Sequence, residues 1–141
     1  MSRYTISSSS ELHPAEVLSL YESVRWDAYT KDPELLLSAI KGSSFVVTAR
    51  AADGELVGLA RAISDDATIC YVQDIVVRPA FQREGVGRTL LTRVVERYGH
   101  VRQRVLITDD EPRQRSFYEA MGFTEGADFR PGPIRVFAQF R

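Results

Sequence analysis

The chain has 141 residues and carries 18 Lys+Arg against 19 Asp+Glu, a formal net charge of −1. That length suits one compact domain, and the near-neutral balance offers no bulk attraction to nucleic acid or to an anionic membrane. A composition of 44% hydrophobic and 26% charged residues is that of a folded domain, and one cysteine (Cys70) with two distant histidines (His13, His100) excludes a disulfide framework and leaves no metal site to expect.

The opening residues, Met1 to Ile6 and then the serines Ser7 to Ser10, lack the apolar core and cleavage site of a secretory signal. No run reaches the roughly 18 apolar residues of a membrane span. The expected compartment is the cytoplasm, with which a lone thiol agrees.

Tyr4 to Ile6 reads as a short strand. From Pro14, a residue suited to a first helical turn, Val17, Leu18, Leu20, Tyr21 and Val24 follow a helical period. Asp32 as N-cap and Pro33 behind it open a second helix through Leu35, Leu36, Leu37 and Ile40, which stops near Gly42. Three strands follow, at Phe45–Ala49, Leu56–Ile63 and Thr68–Val77, the first two joined by the hairpin signal Asp53-Gly54. A helix from about Gly85 to Tyr98 buries Val86, Leu90, Leu91, Val94 and Val95 and ends at Gly99. Arg102–Thr108 is a further strand, and Glu111-Pro112 opens a helix to Met121-Gly122. Phe123 begins the final strands, which Pro131-Gly132-Pro133 interrupts and Ile134–Phe140 completes. The pattern is α+β around one sheet, a single domain over residues 1–141.

Gln82-Arg83-Glu84-Gly85-Val86-Gly87 places two glycines between a strand and a helix. Glycine admits close approach of a ligand to the backbone, and the first N–H groups of a helix have no internal partner. Such a loop favours phosphate, and its alternative is a capped tight turn. Arg78, Arg83, Arg88 and Arg93 gather positive charge around it. A dinucleotide fingerprint fails because Leu90 stands where its third glycine belongs, and no Gly-Lys-Ser/Thr completes a P-loop.

The segment Gln82 to Gly87 resembles the pyrophosphate loop of the GNAT superfamily of acyl-CoA-dependent N-acyltransferases. Asp74-Ile75-Val76-Val77-Arg78-Pro79 is similar to that family's fourth strand. Phe117-Tyr118-Glu119-Ala120-Met121-Gly122-Phe123 is similar to the segment after its fifth. More loosely, Val57 to Asp65 with Val24-Arg25-Trp26 resembles the arylalkylamine (serotonin-type) branch. The resemblance implies a mixed, mostly antiparallel sheet flanked by helices, in the order β-α-α-β-β-β-α-β-α-β-β.

It also implies acetyl transfer from acetyl-CoA to an amine by direct attack, without a metal. A bulge in the fourth strand would splay it from the fifth. The backbone of Ile75, Val76 and Val77 would then meet the acetyl carbonyl and pantetheine arm. Gln82, Arg83, Glu84, Gly85, Val86, Gly87, Arg88 and Thr89 would hold the pyrophosphate. Tyr118 is the implied general acid toward the departing thiolate, its alternative being aromatic packing. Asp74 is the candidate general base, its alternative a structural salt bridge. The family's asparagine after the fifth strand is missing; Asp109 or Asp110 can supply an oxygen acceptor there.

Tyr21, Trp26 and Tyr29, in the region between the first helices, are candidates for an aromatic or cationic amine site, with Asp27, Asp65 and Asp66 nearby; the alternative is that they complete the core. Cys70, His13 and His100 are expected to be structural. The leading function is a small-amine N-acetyltransferase; a protein lysine or N-terminal acetyltransferase and a non-catalytic acyl-CoA sensor are the alternatives. The expected partners are acetyl-CoA and the amine, with neither nucleic acid nor membrane. The resemblance implies a homodimer, for which Ile134–Phe140 could serve; the alternative is that Phe137 and Phe140 belong to the core.

Overall fold

The computed structural model describes residues 3–8 and 11–141; Ser9 and Ser10 of the serine run lie outside the described residues, as do Met1 and Ser2. The chain divides into two compact units, Met1–Ile107 and Thr108–Arg141. The first contains strands β1 (Tyr4–Ser7), β2 (Phe45–Ala51), β3 (Leu56–Ser64), β4 (Ile69–Val77) and β5 (Gln103–Leu106), with helices α1 (Pro14–Ser23), α2 (Asp27–Thr30), α3 (Pro33–Lys41) and α4 (Val86–Arg97). Its five-stranded sheet is ordered β1-β2-β3-β4-β5. The first four strands pair antiparallel and β4 pairs parallel with β5, as a mixed, mostly antiparallel sheet requires.

Local chemistry explains most of the boundaries. Asp32 Oδ1 accepts the Leu35 N–H at 3.2 Å and Pro33 occupies the first helical position, which starts α3. Pro14 starts α1 in the same way, and Glu16 reaches back to accept the His13 N–H at 3.0 Å. The Asp53-Gly54 turn closes with Ala51 N–H on the Glu55 carbonyl at 2.9 Å.

Glu16 also ties α1 to the sheet, because Arg50 of β2 donates to both of its carboxylate oxygens at 2.8 Å. These bonds, joined by the His13 N–H and opposed by burial, pull the Glu16 carboxyl from 4.5 down to about 2. A pKa lowered by folding stabilises the fold above the unfolded value and loses that contribution as pH falls from 4.5 through about 2. Arg50→Met should therefore cost about 1 kcal/mol at neutral pH, since the pair is partly exposed. Urea denaturation of both proteins checks this. The difference should shrink toward pH 2, and a gap that persists there removes the ion pair as its cause.

The sheet buries its two faces differently. On one lie α1 and α3, whose Val17, Leu20, Tyr21, Leu36 and Ile40 pack with Leu56, Leu59 and Val76. On the other lies α4. A Cβ added to Gly58 would stand 3.0 Å from Val86 and 3.1 Å from Leu90, so glycine is what lets α4 approach β3 there. Ala49, Ala60 and Ala62 continue this low surface.

One irregularity decides the rest. Arg61 pairs with Asp74 but Ala62 pairs with Val72, so Gln73 is an extra residue, a β-bulge in β4. Cys70 and Val72 therefore share the α4 face with Ala62, whereas Asp74 and Val76 face α1 and α3 with Arg61 and Leu59. Pairing with β5 covers Ile69–Val72 against Gln103–Leu106 and goes no further. The strand expected over Arg102–Thr108 accordingly ends at Leu106.

The second unit holds α5 (Pro112–Ala120) and a short 3-10 turn at Gly126–Asp128. Arg115 joins them through Asp128 (2.6 Å) and Glu125, and pairs with Glu119 (3.0 Å) within α5. The expected final strands do not form: residues 123–141 contain no strand. Pro131 and Pro133 lack the N–H groups a ladder needs. Val136, Phe137 and Phe140 are exposed, the last two at 89% and 88%, so no partner strand covers their apolar side chains. The helix α2 was not expected, because four residues are too few to show a period.

Among the described residues, no helix is long and apolar enough to cross a membrane, and no group of three His, Cys, Asp or Glu is placed to hold a metal ion.

Candidate active site

Among the described residues, β4 beyond the bulge has a strand partner on one side only. Arg78 N–H donates to the Val57 carbonyl at 2.9 Å, so by strand alternation Val76 also turns its backbone groups toward β3. Ile75 and Val77 turn theirs the other way, toward the side that β5 has left. The Val77 carbonyl confirms this orientation, since Gln82 Nε2 donates to it at 3.0 Å. Two successive outward-facing residues thus present backbone donors in an opened edge, where an extended amide-bearing ligand can pair.

The glycine loop follows directly. Gly85 caps α4 with φ +85°, a left-handed conformation that an L side chain resists, and Arg83 shares it at φ +65°. No side chain caps this helix end, so the N–H groups of its first turn face outward with the positive end of the dipole. Gln82, Arg83, Glu84, Gly85 and Arg88 are exposed, while Val86, the first residue of α4, is buried. Thr89 Oγ1 donates to the Gly85 carbonyl at 2.8 Å and lies 3.2 Å from the Tyr4 hydroxyl, which steadies the turn from β1. Glu84 is held by Arg3 at 2.8 Å. Arg78 does not belong to the charge around the loop. It donates to the Leu56 carbonyl at 2.8 Å and to Ser19 Oγ at 3.0 Å, pinning α1 to β3.

On the α1 side of the bulge, Asp74 is 3% exposed and Arg61 is 5% exposed. Arg61 Nε donates to Asp74 Oδ2 at 2.5 Å, and the Tyr21 hydroxyl donates to the same oxygen at 2.9 Å. The Tyr29 hydroxyl donates to Oδ1 at 3.0 Å. Arg61 is further held by Ser43 Oγ at 3.2 Å. Burial opposes the Arg61 charge, but the Asp74 carboxylate outweighs it and holds the guanidinium above its ordinary value. Burial first, and then the Asp74 charge, push both the Tyr21 and Tyr29 phenols up.

This arrangement sorts the aromatic candidates. Tyr21 is fully buried and cannot touch a substrate. Trp26 and Tyr29 are partly exposed and both sit edge-on against it, with centroids 5.9 and 5.6 Å away. The left-handed turn at Arg25 (φ 60°) brings Trp26 back onto Tyr21. Arg61 and Gln73 were not among the sequence candidates. The signal for Arg61 was present, a charge within the apolar run Leu56–Ile63; Gln73 carries none.

The remaining candidates are placed apart from this cluster in sequence or in role. Tyr118 lies on α5 in the second unit, its ring against Phe117 (5.0 Å) and Phe123 (6.0 Å), and burial pushes its phenol up. Asp109 and Asp110 are exposed. Asp65 closes the β3–β4 turn by accepting from Ala67, Thr68 and Ile69. Cys70 is fully buried, which raises its thiol and leaves it a packing residue. His13 is the N-cap of α1, its N–H donating to Glu16, and His100 pairs with Asp66 at 2.9 Å on the surface.

The chain is similar to known acetyltransferases. A family model described as an acetyltransferase (GNAT) domain matches residues 41–125. The uncharacterized N-acetyltransferase ycf52 of Pyropia yezoensis is 29% identical over 127 residues, covering 87% of this chain and 71% of that protein. A mycothiol acetyltransferase from Geodermatophilus obscurus is 39% identical over 77 residues, 55% of this chain and 25% of its own. A GNAT-family acetyltransferase structure from Streptococcus pneumoniae superposes with a TM-score of 0.79 at 27% identity, covering 97% of this chain and 99% of that one. The bulged and splayed β4, the glycine-opened helix and these matches agree, and the chain belongs to the GNAT family of acetyltransferases.

Proposed function

We propose that the protein transfers an acetyl group from acetyl-CoA to the primary amine of a small molecule. The observation that carries this reading is the end of β4–β5 pairing at Val72–Leu106, which leaves Ile75 and Val77 facing an open edge beside the first turn of α4. Acetyl-CoA supplies the activated acetyl group. The N–H groups of Ile75 and Val77 suit its carbonyl and pantetheine amides, and Val76 keeps that backbone in register from the core. The α4 N-terminus, with Arg83, Arg88 and Gly87, suits the pyrophosphate. A backbone N–H aimed at the carbonyl oxygen would stabilise the charge that develops there during attack. Asp109 is the proposed replacement for the family's asparagine. Tyr118 is the proposed general acid, supported by its motif and by a partly buried phenol that keeps its proton.

The acceptor is proposed to enter beside Trp26 and Tyr29, the two aromatics of the buried network that remain partly exposed. The apolar segment Ile134–Phe140 is the proposed surface for homodimer formation, given its exposure.

Release of free thiol from acetyl-CoA, measured across arylalkylamines, polyamines, amino sugars and peptides, tests the reading. Turnover with a small amine supports it, turnover with peptides alone replaces it with protein acetylation, and binding of acetyl-CoA without turnover replaces it with a sensor. In the same assay Gly85→Val should raise the KM for acetyl-CoA about tenfold, because its Cβ is strained at φ +85° and obstructs the backbone. An unchanged KM removes the loop from the cofactor site.

A further inference from the structure

The network around Asp74 fixes the direction of every hydrogen bond in it. A guanidinium only donates and an ionised carboxylate only accepts. Arg61 and Tyr21 therefore fill Asp74 Oδ2, and Tyr29 commits its one proton to Oδ1. The amide nitrogen of Gln73 then donates to the Tyr29 oxygen at 2.9 Å. With its proton turned inward and one lone pair engaged, the Tyr29 oxygen retains a single free function, that of acceptor. It stands at the bulge, bonded to Asp74 and Gln73 side chains where β4 parts from β5.

We propose that Tyr29 is a positioning residue that accepts an N–H of the incoming amine, and that Asp74 acts through Tyr29 by locking its proton inward, rather than by taking a proton from the amine itself. This rests on the reading of the protein as an amine acetyltransferase. An amine held by its N–H keeps its lone pair available for attack. Asp74 is enclosed and already receives three donors, so little of it is left for a substrate. Its charge is balanced by Arg61, which lets the site hold a neutral amine without trapping the ammonium form. The raised phenol keeps Tyr29 a neutral hydroxyl at ordinary pH.

The geometry makes Asp74→Asn a sharp variant. The asparagine oxygen must stay with Arg61 and Tyr21, which puts its NH2 where Oδ1 now meets Tyr29. That group donates, so Tyr29 must accept from it and turn its own proton outward. The hydroxyl remains while its polarity reverses.

The test is steady-state kinetics of the full chain with acetyl-CoA and phenethylamine, or whichever panel amine turns over. Tyr29→Phe should lower kcat/KM for the amine about tenfold, with the KM for acetyl-CoA unchanged. Asp74→Asn should give a similar loss, and adding it to Tyr29→Phe should cost nothing further. A full additional loss in the double variant shows that Asp74 acts directly and overturns the proposal. So does an unaffected Tyr29→Phe. Thermal melts identify any variant that fails to fold.

A readout independent of turnover is the Tyr29 hydroxyl proton in NMR spectra. In the unsubstituted protein it should exchange slowly and lie downfield, as a donor to a carboxylate does, and Asp74→Asn should move it upfield. A rapidly exchanging proton overturns the assigned polarity, even if Asp74→Asn proves unstable. If no amine is turned over, the functional reading fails and the ligand assignment falls with it. Turnover that is indifferent to Tyr29 defeats only the present inference.

Discussion

Arg61→Met is expected to lower the free energy of unfolding by about 3–5 kcal/mol, the largest effect of any single substitution considered for this fold. The substitution leaves the Asp74 carboxylate enclosed at 3% exposure without its cation. Tyr21 and Tyr29 can still donate, but neutral donors do not balance a buried charge. Charged partners come out of water together or not at all, so replacing both with apolar residues should be far milder. Arg61→Met combined with Asp74→Leu is expected to recover most of the loss. Urea denaturation, with midpoints compared at constant m, measures both. A single variant within 1 kcal/mol of the original would show that the pair contributes little.

Tyr118→Phe should reduce kcat by about 10²-fold or more while leaving the KM for acetyl-CoA in place, if the hydroxyl protonates the leaving thiolate. Phenylalanine retains the ring contacts with Phe117 and Phe123, so the loss is assigned to the hydroxyl and not to packing. The pH profile gives a second measure. Burial raises this phenol above 10.0, which means that it keeps its proton to higher pH than a free tyrosine. Turnover limited by that proton should fall only above 10.0, and the fall should be missing in Tyr118→Phe. A variant with unaltered kcat removes Tyr118 from the chemistry.

Much of the fold is legible in the sequence because its signals are local. Asp32-Pro33, Pro14, Asp53-Gly54 and Gly85 act on backbone groups within four residues of themselves, and each marks an observed boundary. The final strands were misread for a complementary reason. Ile134–Phe140 has the apolar alternation of a strand, but alternation only makes a segment competent to pair, and a strand exists where a neighbour accepts its N–H groups. Helix α2 lies at the opposite limit, formed in four residues with no periodicity to read.

The candidate site divides along the same line. The glycine loop and the Tyr118 motif are legible in the sequence because each is contiguous. The bulge and the splaying it causes were expected from the resemblance, while the change of face at Gln73 was not. Cys70, Val72, Asp74 and Val76 form one unbroken alternation, and nothing in that run reveals that the strand changes faces at Gln73. Arg78 looked like part of the cationic surround of the loop until its bonds to Leu56 and Ser19 showed it spent on packing.

What the sequence by itself determined is a near-neutral α+β chain with one glycine-opened helix beside a strand, and with it the family. The chain class and the opened helix follow from composition and from contacts between near neighbours, and the family from the resemblance of its contiguous motifs. The tertiary structure alone decided that Asp74 meets an arginine 13 residues earlier and two tyrosines 53 and 45 residues earlier, and so faces inward as an anchor. Strand register is set between segments, by how two whole faces pack. A single inserted residue on one strand moves every later side chain to the other face without altering the pattern along the chain.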